Sequence, residues 1–251
     1  MFRRAIAFVL TVLGISSTTE AAPGDPPPYQ NAFSKAFERG WSVQIDDAED
    51  GKPAKFLVRS FRTLDLGKLI ITTGQICAAD PFVNLGDTKP FTQNVLAGSH
   101  AVQLAVVQGG FDDGRVAFAR VAFSEEPIVV WKQALVEGQD VLALKTDEAF
   151  GYPVDAGTGS FYDVAAGQAA SKMRQTDENV WEKWQTDGEA NGRDLKPSFF
   201  LMLPADPGNI AMFASGWGDG FYSSWFGFDA QGKVAVLLTD FKVVAWDRAK
   251  P

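Results

Sequence analysis

The chain has 251 residues, a formal net charge of −8, twenty Phe and seven Trp, but a single His and a single Cys. A net acidic chain without a basic stripe is a poor binder of phosphate backbones, which argues against nucleic acid as a partner. One histidine excludes a His-rich zinc site, and one cysteine excludes an internal disulfide.

The N-terminus reads as a secretory signal peptide over residues 1–21. Arg3 and Arg4 form a basic start, Ala5 to Ile15 is an apolar core, and Thr19 and Ala21 are the small residues expected before a cleavage site. The apolar core is shorter than the ~20 residues a membrane span needs, so no membrane attachment is expected after cleavage. Removing this net +1 segment leaves a mature chain at −9, expected in the periplasm or outside the cell. Residues 22–40 open with Pro23, Pro26, Pro27 and Pro28, a density that favours an extended tether. Residues 41–251 suit one domain with an aromatic core.

Most of that domain reads as β. Lys55–Phe61, Lys68–Thr72, Ala101–Val107, Arg115–Phe123, Ile128–Trp131, Ser198–Leu203 and Ile210–Phe213 are short, β-branched or aromatic, and bounded by turn residues. Asp112-Asp113-Gly114 predicts a hairpin between its flanking strands. Asp229 to Gly232 predicts another, joining Tyr222–Phe228 to Lys233–Trp246. Ser160-Phe-Tyr-Asp163 has the form of a capping box, and Phe161, Val164, Ala165, Ala169 and Met173 recur beyond it at helical spacing. Thr176-Asp-Glu predicts further helix carrying Trp181 and Trp184. The expected fold is therefore α+β: a large, mostly antiparallel β-sheet, sandwich or open barrel-like, with one helical crossover around residues 160–186.

Cys77 sits among small and apolar residues and reads as a buried hydrophobe. A Ser-His-Asp triad would have to use His100, which enters an apolar strand, and no G-x-S-x-G elbow exists. The carboxylates are the better candidates. Asp240 interrupts an apolar strand on the face that period 2 would bury, so it needs a partner. Arg120, in the RVAFARVAF tract, is the expected one. Gly157-Thr-Gly-Ser160 reads either as a tight turn or as an anion cradle of backbone amides, although it lacks the lysine of a P-loop. Gly216, Gly218 and Gly220 interleave with Trp217 and Asp219, and Tyr222 and Trp225 follow. These aromatics could line a shelf for an apolar or sugar-like ligand, or simply fill a core.

Several tracts resemble one bacterial family. They are DPF at Asp80–Phe82, RVAFARVAFS at Arg115–Ser124, W-x-x-A-L at Trp131–Leu135, YPVDAGTGSF-x-D at Tyr152–Asp163, and SGWGDG with the FDAQG and LLTDF that follow. Together they look like the family known as domain of unknown function 4241, over about Leu69 to Val244. The family often carries Cys in the slot filled here by Ser160. The resemblance implies a shared fold and a shared Asp/Gly site, and no established activity.

Two functional readings follow. The first is an exported module that binds a small ligand or a protein through Asp155, Gly157, Ser160, Trp217, Asp219 and Tyr222, with the two glycine turns meeting in space. The second is a hydrolase using Asp155 and Asp219 as acid and base. No metal or cofactor pattern stands out.

Overall fold

The computed structural model describes residues 22–46, 56–145 and 148–250. The expected signal segment lies outside these residues. Helix α1 (Ala32–Lys35) and strand β1 (Ser42–Asp46) lead into the long β2 (Phe56–Ile71), followed by β3 (Ile76–Ala79), β4 (Gly98–Gln108), β5 (Val116–Ala122) and β6 (Val130–Gln133). Next come β7 (Tyr152–Val154), β8 (Thr158–Asp163), and the helices α2 (Val164–Thr176) and α3 (Val180–Asn191). Strands β9 (Phe200–Ala205), β10 (Gly208–Ala214), β11 (Gly220–Phe228), β12 (Val234–Asp240) and the short β13 (Ala249–Lys250) follow.

The strands form two antiparallel sheets. The larger runs β13-β1-β2-β4-β5-β12-β11-β6, with β7 also on β11, and curls into a half-barrel. The smaller runs β3-β8-β10-β9. Both predicted hairpins are present: β4 pairs with β5, and β11 pairs with β12 around a Gly232 at φ +73°. The two strands expected between 55 and 72 are one strand, β2. Its pairing with β4 slips between Asp65 and Gly67, and Gly67 takes φ +113° there. A bulge of this kind bends a strand without ending it, which helps a sheet to curl.

Three expectations need correction. The 22–40 segment is not a free tether along its length. After the prolines, Tyr29 and Phe33 enter the curl of the large sheet. Phe33 is fully buried and its ring meets Phe118 of β5, Trp131 of β6 and Trp225 of β11. Proline density governs backbone preference, but a large ring gains ~1.5–3 kcal/mol from burial, and a curved aromatic sheet offers the place.

The helix begins three residues later than the capping box suggests, with Asp163 in place of Ser160 as its N-cap. Residues 158–163 form β8, buried at every position and paired with β3 and β10. Asp163 does cap α2, accepting from the Ala165 amide at 2.9 Å, but Ser160 Oγ donates to the Ala79 carbonyl across the sheet. A serine three residues before an aspartate fits a strand end as well as a cap, and the two flanking strands settle the choice here.

The pairing of Arg120 with Asp240 does not occur. Asp240 is buried, but in register it faces Phe118, whereas Arg120 faces Leu238 on one side and Gln103 on the other. Arg120 donates twice to Gln103 Oε1, at 2.9 and 2.6 Å, and lies over the Phe37 ring. Asp240 accepts instead from the Tyr29 hydroxyl and the Lys242 amide, both at 2.8 Å. Strand register decides nearest neighbours, and a residue two positions along is already a diagonal contact.

Candidate functional site

The two glycine turns meet. The Gly157 amide donates to Asp219 Oδ1 at 3.1 Å, and the Ser215 amide donates back to the Gly157 carbonyl at 3.1 Å. Gly157, Gly216 and Gly218 all have positive φ, the conformation that frees both turns to approach, and Gly218 Cα lies 3.7 Å from where a Gly157 Cβ would sit.

Each turn is held from below by a buried group. Asp80, fully buried, accepts the Asp155 and Ala156 amides on Oδ2 at 2.9 and 2.7 Å and the Phe82 amide on Oδ1. The Asp80 side chain thus fixes the backbone on which Asp155 is carried outward. Tyr222 is buried under the other turn, and its hydroxyl donates to the Gly218 carbonyl at 2.9 Å. Its pKa is raised, first by burial and then by the nearby Asp219 carboxylate, with Arg115 opposing. Ser215 Oγ donates to the same Gly218 carbonyl at 2.8 Å.

Trp217 stands out from this corner, 45% exposed. The Arg115 guanidinium carbon lies 3.9 Å from the centre of its ring, and Arg115 Nη1 donates to the Gly216 carbonyl at 2.8 Å. Phe111, 79% exposed on the β4–β5 hairpin, stacks with Trp217 at 5.7 Å between centroids. That hairpin is pinned by the largely buried ion pair of Arg59 with Asp112 at 2.8 Å. Two segments, the β4–β5 hairpin and the 215–220 turn, therefore build one aromatic–cationic stack.

The predicted residues divide. Gly157, Trp217, Asp219 and Tyr222 converge here, and Asp155 sits two residues from Gly157 with an exposed side chain. Ser160 does not belong: it is buried in β8 and spent on Ala79. Asp219 already accepts an amide, and five of the best-formed cavities are lined by neither Asp155 nor Asp219. The sequence reading missed Phe111, Arg115 and the supporting Asp80. Asp80 stood in a quoted motif, and Phe111 was visible as a large apolar residue beside a turn signal.

Elsewhere, burial pushes the Cys77 thiol up to about 12, with the Asp163 carboxylate adding to the rise. His100 is buried, with Nε2 2.7 Å from the Leu96 carbonyl, and burial lowers its pKa. Among the described residues, no three His, Cys, Asp or Glu gather to hold a metal ion, and no helix is long and apolar enough to cross a membrane.

No curated protein and no solved structure matches the chain. A family model described as Protein of unknown function (DUF4241) matches residues 69–239, which span β8, both helices and both glycine turns, and the chain belongs to that family.

Proposed function

We propose that this is an exported partner-binding module whose contact surface is the Trp217–Phe111–Arg115 stack on the paired glycine turns. The stack carries the reading. Trp and Arg are the residue types that dominate binding energy at protein interfaces. Here Trp217 and Phe111 stand outward over a half-buried Arg115, held by buried braces, instead of filling the core. Small-molecule sites are concave, whereas this surface projects, which favours a protein partner over a small ligand. The acid–base reading gains no such support, because Asp219 is engaged with a backbone amide.

Export rests on the basic start, the apolar core and the small residues Thr19 and Ala21. The Ala22 backbone nitrogen lies 2.8 Å from Asp25 Oδ2. Cleavage after Ala21 would turn that amide into an ammonium and the contact into a charge-assisted bond, roughly twice as strong as a neutral one. N-terminal sequencing of the mature protein should begin at Ala22 or Pro23, and an intact Met1 in the exported fraction would refute export by cleavage.

The surface is tested by placing a photo-crosslinking residue at Phe111, at Trp217 or at the exposed control Leu142 in producing cells. A discrete product is expected from the first two positions only, and excess wild-type protein, but not Trp217→Ala, should compete it away. Equal crosslinking from all three positions would overturn the reading.

A further inference from the structure

A cavity of about 270 Å³ is lined by residues of both sheets, among them Ala78 and Ala79 of β3, Ser224 of β11 and Tyr152 at the start of β7. It exists because small residues stand where the core elsewhere carries large ones: Ala78 and Ala79 of β3 form one wall and Ala134, just after β6, another. Phe91 and Tyr152 complete an apolar interior.

One loop of its lining bears two opposite charges, the exposed Asp87 and Lys89. The loop is firmly held. Thr88 Oγ1 donates to the Asn84 carbonyl at 2.8 Å, the Phe91 amide donates to the Ile76 carbonyl at 2.9 Å, and Gly86 packs against Ser171 of α2. Neither charge is in an ion pair among the described residues; Lys89 reaches only the Glu137 carbonyl, at 3.5 Å. A singly charged ligand would be attracted by one and repelled by the other.

We infer that this cavity binds a free amino acid with an apolar side chain, its ammonium toward Asp87, its carboxylate toward Lys89 and its side chain over the alanines. The volume lies just below the ~300–1,000 Å³ of drug-sized sites, as a compact ligand requires. The site shares no residue with the Trp217 stack, so the two readings stand or fall separately.

Calorimetric titration of the mature chain with L-leucine and L-phenylalanine tests it. At least one should bind with Kd below about 1 mM. The leucine analogues lacking one charge, isoamylamine and 4-methylpentanoate, should bind at least ~10-fold weaker, a loss of about 1.4 kcal/mol. Ala134→Leu should abolish binding by filling the space. Because that change could unfold the core, the exposed pair Asp87→Asn with Lys89→Gln provides a second arm and should weaken binding with the melting temperature unchanged. Trp217→Ala should leave it intact. No heat with either amino acid, equal affinity for the single-charge analogues, or full binding by the Asp87/Lys89 double variant would each overturn the proposal.

Discussion

Two aspartates on neighbouring elements meet opposite fates. Asp240, at the end of β12, is buried beneath the N-terminal segment and touched by a tyrosine. Asp219, just before β11, is exposed and ties one glycine turn to another. Around Asp240, burial pushes its carboxyl up to about 6 despite the Lys242 amide, the Tyr29 hydroxyl and the Lys242 charge. Around Asp219, the backbone is shaped and the side chain serves as a clasp. The first region spends a polar group to lock the chain's start onto the sheet; the second spends glycines to hold an aromatic stack in solvent.

The comparison breaks first at Phe33. If the N-terminal segment is part of the core, Phe33→Ala should destabilise the protein by about 3–5 kcal/mol in urea unfolding, the usual cost of deleting a buried Phe ring. A change below ~1 kcal/mol would return the segment to the role of a tether.

The buried carboxylate should also write a pH dependence. Its folded-state pKa of about 6 lies above the ordinary 3.8, so between those values the folded chain holds more protons than the unfolded one. Asp240 therefore contributes most to stability near pH 4. That contribution falls as pH rises through about 6 and is level above, for a total of about 3 kcal/mol. The difference between wild type and Asp240→Asn, followed by urea unfolding from pH 4 to pH 7, should carry this slope. A difference independent of pH would mean that the carboxylate is charged throughout.

At the glycine corner the effects should be smaller. Asp219→Ala removes the acceptor for the Gly157 amide and should cost about 1 kcal/mol. Asp219→Asn keeps a carbonyl oxygen there and should leave the melting temperature nearly unchanged. If Asp219→Asn unfolds the protein, the corner is a structural anchor and not a mount for a binding surface.

Much of the fold was legible along the chain. β-branched and aromatic composition between turn residues marked β4, β5, β9, β10, β11 and β12, because such side chains favour a pleated, buried surface. Turn chemistry at 112–114 and 229–232 gave the hairpins. At the candidate site, the glycines and Asp219 announced themselves, since closely approaching backbones require residues without a Cβ. Phe111 and Arg115 carried no equivalent local mark. Their role depends on a neighbour some hundred positions away, as does that of Asp80 under the Asp155 turn.

What the sequence determined by itself was the β-rich class, the hairpins, the helical region after β8 and the convergence of glycine with carboxylate on two turns. These rest on local rules, in which each residue's conformation follows from its own side chain and near neighbours. The tertiary structure decided the rest: that 158–163 is a strand and not a helix start, that Tyr29 rather than Arg120 meets Asp240, and that a proline-led segment ends in the core. Each of those outcomes turns on register and burial against distant strands. A contact between residues 29 and 240 is set by how the large sheet curls around the N-terminal segment, and no local pattern encodes that.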